Sequence, residues 1–250
     1  MTSSAQRIDV QTDDGTAPCW VHAPAGTGKL PGVLMFPDAG SVRAAVHDVA
    51  QHLASQGFVV LVPDIFYRAG AYAPFDFRTV FSVPSERERL FGLIHSLDPA
   101  SAMRDAAHYL RALREQPGTA PGKLGVTGYC MGGRLAFLTA ATRASDIGAM
   151  AGFHAGGLVS DAPDSPHLLA STIQASVYLG VADNDTSCSP EHQGALATAL
   201  GQAHVDYAIE LYRGAAHGFA MPDAPVFDAA ASQRHMERMV GLFRRTLTAV

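Results

Sequence analysis

Residues 123–137, KLGVTGYCMGGRLAF, decide how the rest of the chain is read. Residues 124–127 are a short apolar and β-branched run behind the breaker Gly122, the pattern of a buried strand. Residues 134–144 are good helix formers. Between them, Gly128-Tyr129-Cys130-Met131-Gly132 spells G-x-C-x-G, the strand-to-helix elbow G-x-S-x-G with sulfur in place of oxygen. Such an elbow strains its middle residue and leaves no room for side chains two residues to either side. That explains Gly128 and Gly132, while Gly133 permits close helix–sheet contact. The middle side chain stands at the tip, above a helix N-terminus whose dipole favours a thiolate. Cys130 is therefore the candidate nucleophile.

The surrounding chain supplies the scaffold that an elbow needs. Residues 8–10 and 19–23 form a predicted hairpin across Asp13-Asp14-Gly15. Continuous apolar runs at 32–36 and 58–62 have the pattern of strands buried on both faces, and 148–153, 175–181 and 205–212 complete the strand set. Helical patterns fall at 44–55, 85–94, 98–114, 189–200 and within 228–248, with Asp98-Pro99 and Ser189-Pro190 as N-cap and first-turn pairs. This alternation predicts an α/β fold, a mostly parallel central sheet with helices on both faces, in one domain over residues 1–250. In such sheets ligands bind beyond the carboxyl ends of the strands, where the elbow, Asp38, Asp183 and His217 all fall.

Composition narrows the function classes. A net charge of −5 gives no nucleic-acid footprint. No apolar run approaches the roughly 18 residues of a membrane span, and the polar first residues lack a secretory pattern. Three scattered cysteines (Cys19, Cys130, Cys188) argue for a reducing compartment, so a cytoplasmic location is expected, and they lack the spacing of a structural zinc site. No metal or organic cofactor is called for.

An attacking thiol needs a base and a group to orient that base. His217, in Gly214-Ala215-Ala216-His217-Gly218-Phe219, lies in a short loop after the last predicted strand. Asp183 follows the preceding strand and is favoured as its partner, with Asp185 in the same loop as the rival. The order nucleophile, acid, histidine is that of the α/β-hydrolase arrangement. The backbone N–H groups of Met131 and Ala39 are the expected oxyanion donors.

On Gly-Tyr-Cys-Met-Gly-Gly at 128–133, Val-Pro-Asp-Ile-Phe-Tyr at 62–67, the 180–183 loop and Ala-His-Gly-Phe at 216–219, the chain resembles the dienelactone hydrolase (carboxymethylenebutenolidase) family of α/β-hydrolases over about residues 32–243. The resemblance implies a Cys130–Asp183–His217 triad that opens a lactone or cleaves a small ester through a thioester acyl-enzyme. It places Asp38 where the family has a thiol-activating glutamate one methylene longer. It also implies a substrate-binding arginine at Arg87, with Arg89 as the alternative register, and a second arginine at the position held here by Met221. The expected partner is a small-molecule lactone or ester, with neither nucleic acid nor membrane, on a monomer or small homo-oligomer. A general carboxylesterase or thioesterase, or a non-hydrolytic binding or redox-sensing protein on the same fold, are the competing readings.

Overall fold

A computed structural model describes residues 5–26 and 28–247. The chain opens with a hairpin, β1 (Gln6–Thr12) and β2 (Gly15–His22), followed by β3 (Gly32–Phe36), α1 (Ala44–Ser55) and β4 (Val59–Pro63). A long loop leads to α2 (Pro84–Ser96) and α3 (Pro99–Arg114), then β5 (Leu124–Tyr129) and α4 (Met131–Thr142). The remainder alternates: β6 (Ile147–Phe153), β7 (Ser176–Ala182), α5 (Pro190–Gln202), β8 (Tyr207–Tyr212) and α6 (Ala229–Thr246). All strands join one sheet in the order β1-β2-β4-β3-β5-β6-β7-β8. The hairpin pairs antiparallel with itself and with β4, and every later pairing is parallel. This is the α/β-hydrolase architecture.

Period-two alternation sorts the core into two layers. Leu34 and Phe36 pack on one face against residues of α3 and α4, while Val33 and Met35 pack on the other against α1 and α6. The predicted caps form: Asp98 accepts from the N–H of Ser101 (2.8 Å) and Ser189 from that of His192 (3.3 Å). Among the described residues no helix is long and apolar enough to cross a membrane.

Three elements differ locally from the sequence reading. Helix α4 begins at Met131, three residues before the predicted start, because Gly132 and Gly133 are selected by packing and override their poor helix propensity. Helix α2 buries only Leu90, so its predicted amphipathic face is thin. A 3₁₀ helix over Pro166–Thr172 was not predicted, since its apolar residues are too few to show a period.

Backbone strain collects at one edge. Of five non-glycine residues with positive φ among the described residues, four (Ser41, Cys130, His154 and Asn184) follow β3, β5, β6 and β7 at their carboxyl ends. Such conformations persist only where packing over-determines them, and they favour functional sites.

The elbow glycines are held by backbone on all sides. A Cβ on Gly128 would lie 2.0 Å from the carbonyl oxygen of Gly132, and one on Gly132 would lie 2.2 Å from that of Pro37. We expect Gly132→Ala to lower stability by more than about 2 kcal/mol in chemical denaturation, because two backbone segments must separate. Gly241→Ala, in the exposed interior of α6 with open space around it, should instead stabilise by about 1 kcal/mol. Similar effects of the two substitutions would contradict this account of the elbow.

Candidate active site

Cys130 sits at φ 54° and ψ −121°, half-buried between β5 and the first turn of α4. Its N–H donates to the carbonyl of Phe153 (3.1 Å), which ties the elbow to the end of β6. Tyr129, one residue earlier, points into the core. It stacks on Phe153, and its hydroxyl meets Nε2 of His235 at 3.2 Å. The elbow is thus fixed from below while the thiol faces outward. The N–H groups of Met131 and Ala39 make no hydrogen bond to any acceptor among the described residues, which leaves them free as oxyanion donors. Gly132 lies against the carbonyls of Phe36 and Pro37, which brings the loop carrying Ala39 up to the first turn of α4.

The histidine comes from the other side. His217 follows β8, and its Nδ1 lies 2.7 Å from Oδ2 of Asp185. Burial alone would depress the His217 pKa, but the Asp185 carboxylate and Cys130 outweigh it and raise it to about 10. With Nδ1 occupied, Nε2 is the nitrogen left to meet Cys130. Burial likewise pushes the Asp185 carboxyl up, and hydrogen bonds from His217 and Ser187 more than reverse that, leaving it below its ordinary value. The pair therefore stabilises the fold above the range where Asp185 protonates. That contribution is lost as pH rises through about 10, where His217 loses its proton.

Asp185, the rival, and not the favoured Asp183, is the residue that orients His217. The Asp183 carboxylate accepts from the N–H of Gly214 (2.9 Å), and its own N–H donates to the carbonyl of Ala215 (2.8 Å). It braces two loops. Asn184, at φ 54°, turns the chain so that the next carboxylate points inward. Ser187 then locks that carboxylate, donating to Oδ1 from its hydroxyl (2.6 Å) and its N–H (2.9 Å). The Ser187 hydroxyl also lies 3.3 Å from Nδ1 of His217. The Asp-x-Ser spelling, a side-chain-to-backbone turn, was the available signal for both residues.

The family model for the "Dienelactone hydrolase family" matches residues 18–247. The chain belongs to the dienelactone hydrolase family. Its members act on ester and lactone bonds. A Salmonella typhi protein with the provisional name carboxymethylenebutenolidase is 28% identical over 240 residues, covering 94% of this chain and 84% of that one. A dienelactone hydrolase-like promiscuous phosphotriesterase from metagenomic libraries is 26% identical, with a TM-score of 0.80 over 99% of this chain and all of that one. The fold is also shared with a provisionally named dienelactone hydrolase from Klebsiella pneumoniae, at TM-score 0.85, 20% identity, and coverage of 98% and 100%.

One expectation carried from the family, the contact of Asp38 with the thiol, is corrected by the geometry. Asp38 is buried, but its carboxylate is engaged by Arg43 (2.6 and 2.9 Å) and by the N–H of Gly40 (2.9 Å), and it makes no hydrogen bond to Cys130. Arg87 is exposed on α2, and its side chain makes no hydrogen bond or ion pair among the described residues. Arg89 is the ordered arginine there, binding Glu86 and the carbonyl of Ala73 and covering the ring of Phe75 at 3.8 Å. Met221, at the position of the family's second arginine, is buried in the layer with α1 and α6.

The aromatic loop after β4 divides in two. Tyr72, Phe75 and Phe77 pack with Ala39 and Met131, whereas Tyr67 turns away to Thr12 and Asp105. His154 is fully buried behind His217, edge-to-face at 5.1 Å, and burial holds its pKa well below the ordinary value. Neither of its ring nitrogens has a hydrogen-bond partner among the described residues. Cys188 is buried, which pushes its thiol up to about 11 and leaves it unreactive. A groove between α1 and α6, lined by His52, Phe227 and Met236 among others, contains none of the site residues.

Asp185→Asn should lower kcat/KM for ester hydrolysis by about 10²–10⁴-fold, because the imidazole loses both its orientation and its charge partner. Asp183→Asn should cost less than about tenfold. The reverse order in steady-state kinetics would restore Asp183 as the orienting acid.

Proposed function

We propose that the protein is a cysteine-dependent hydrolase that opens lactones or cleaves small esters through a thioester acyl-enzyme. The observation that carries this reading is the convergence on one sheet edge of a strained cysteine, a histidine held by a buried carboxylate, and two unpaired backbone N–H groups.

The chemistry follows from those positions. The Cys130 sulfur attacks the carbonyl carbon while His217 holds the thiol proton. The developing oxyanion is met by the N–H groups of Met131 and Ala39 at the start of α4, where the helix dipole adds to them. Collapse breaks the carbon–oxygen bond, and His217 gives its proton to the departing alkoxide. In a lactone that alkoxide remains tethered to the acyl group.

Acylation then changes the histidine. The contribution of Cys130 to its raised pKa vanishes once the sulfur is bonded to carbon, so the imidazole gives up its proton more readily and is neutral when it has to accept one from water. Water attacks the thioester carbonyl, His217 takes its proton, and the carbon–sulfur bond breaks to return the thiol. Asp185 stays ionised throughout and steadies the imidazolium.

The test pairs kinetics with mass measurement. Wild type should hydrolyse dienelactone or a short-chain aryl ester, and Cys130→Ala should lose at least about 10³-fold of that rate. Quenching during turnover should trap a mass increase equal to the acyl group on the peptide containing Cys130, released by hydroxylamine. Hydrolysis that survives in Cys130→Ala would overturn the nucleophile assignment.

A further inference from the structure

Arg43 lies at the start of α1, directly after the loop that carries Ala39, and its guanidinium is saturated. Its Nε donates to Oδ2 of Asp223 (2.6 Å). Its Nη1 donates to Oδ1 of Asp38 (2.6 Å) and to the carbonyl of Ser41 (3.3 Å). Its Nη2 donates to Oδ2 of Asp38 and Oδ1 of Asp223, both at 2.9 Å. All five N–H bonds are used. The group also lies 4.2 Å from the centre of the Phe77 ring, which packs with Ala39 and Met131 in the wall of the site.

Two carboxylates around one guanidinium leave this wall with a net charge of −1 and no free donor. The three members differ in access. The Arg43 and Asp38 side chains are 5% and 6% exposed, whereas that of Asp223 is 32% exposed. Asp223 therefore covers the open edge of the guanidinium, the edge formed by Nε and one N–H of Nη2. Neither neighbouring cation offsets this. Arg78 feels the charge of Asp223 but is paired with Asp76 (3.0 Å), and Arg134 lies along Gly157, on the β6 side of the elbow, whereas Arg43 lies on the β3 side.

We propose that Asp223 is a specificity-determining residue. By capping Arg43 it keeps the guanidinium from substrates and leaves the β3 side of the site negative, so the enzyme takes uncharged esters and lactones and rejects those bearing a carboxylate. Removal of the Asp223 charge leaves Arg43 paired with Asp38 alone and frees two N–H donors in the fork geometry that binds carboxylates. The inference rests on reading this cleft as the ester site.

The experiment compares 4-nitrophenyl hexanoate with mono-4-nitrophenyl adipate, acyl groups of equal length that differ in a terminal carboxylate. Wild type should favour the hexanoate. Asp223→Asn and Asp223→Ala should raise the adipate-to-hexanoate ratio of kcat/KM at least about tenfold, an advantage that shrinks at high salt. Asp223→Glu, which keeps the charge, should keep the wild-type ratio. A binding arm runs without turnover: in the Cys130→Ala background, Asp223→Asn should gain binding of phenylacetate over phenylacetamide by NMR titration. If neither ester is hydrolysed by wild type, the ester-site reading fails, and the binding arm still decides the role of Asp223. An unmoved ratio, or no gain in phenylacetate binding, would overturn the proposal.

Discussion

The hydrogen bond between His217 and the buried carboxylate of Asp185 is the interaction on which the site depends. It joins the loops after β7 and β8, neighbouring parallel strands whose register runs from Val177 with Tyr207 to Ala182 with Tyr212. It assigns Nδ1 to the acid and so leaves Nε2 for the thiol. It also supplies the charge that keeps a half-buried imidazole basic against the desolvation that would otherwise depress it. Ser187 contributes by filling the remaining oxygen of the carboxylate, so that Asp185 has one orientation. Without this bond the elbow would present a cysteine with no organised base.

The features legible in the sequence were those fixed by local constraint. The glycines of Gly128-x-Cys130-x-Gly132 follow from backbone contacts within a few residues and across to β3, and no side chain fits at either of them. The buried strands showed as uninterrupted apolar runs, and the Asp98 and Ser189 caps showed as side chains that complete a helix end. What stayed hidden was set at a distance or by a single torsion. Asp183 and Asp185 are two residues apart on the same loop, and only the left-handed turn at Asn184 decides which of them faces His217. Asp38 matched a family position, yet its partner was decided by Arg43, whose other partner, Asp223, is 180 residues away along the chain. Arg87 and Arg89 were indistinguishable as letters, and the contacts of Arg89 with Ala73 and Phe75 separate them.

Two kinds of expensive local structure meet at the same edge. One is the positive φ at four strand ends, which aims Cys130 and Asp185. The other is the Asp38–Arg43–Asp223 group, whose desolvation is tolerable only because every guanidinium N–H has a partner. That group ties the loop after β3 to the segment that follows His217. The loop carrying Ala39 and the histidine are thus held in one frame, although their strands are separated in the sheet by β5, β6 and β7. Tyr72, Phe75 and Phe77 pack with Ala39 on this frame.

The charge coupling of His217 is the most direct point of attack on this account. Its imidazole can be titrated by NMR with ¹⁵N-labelled histidine in the resting protein, with the resonance assigned by its loss in His217→Gln. We predict a proton retained far above the ordinary histidine range, with a midpoint of about 10, and Nδ1 protonated throughout. A midpoint near that of a free histidine would mean that Asp185 and Cys130 do not share the proton economy of His217, and the proposed relay would fall.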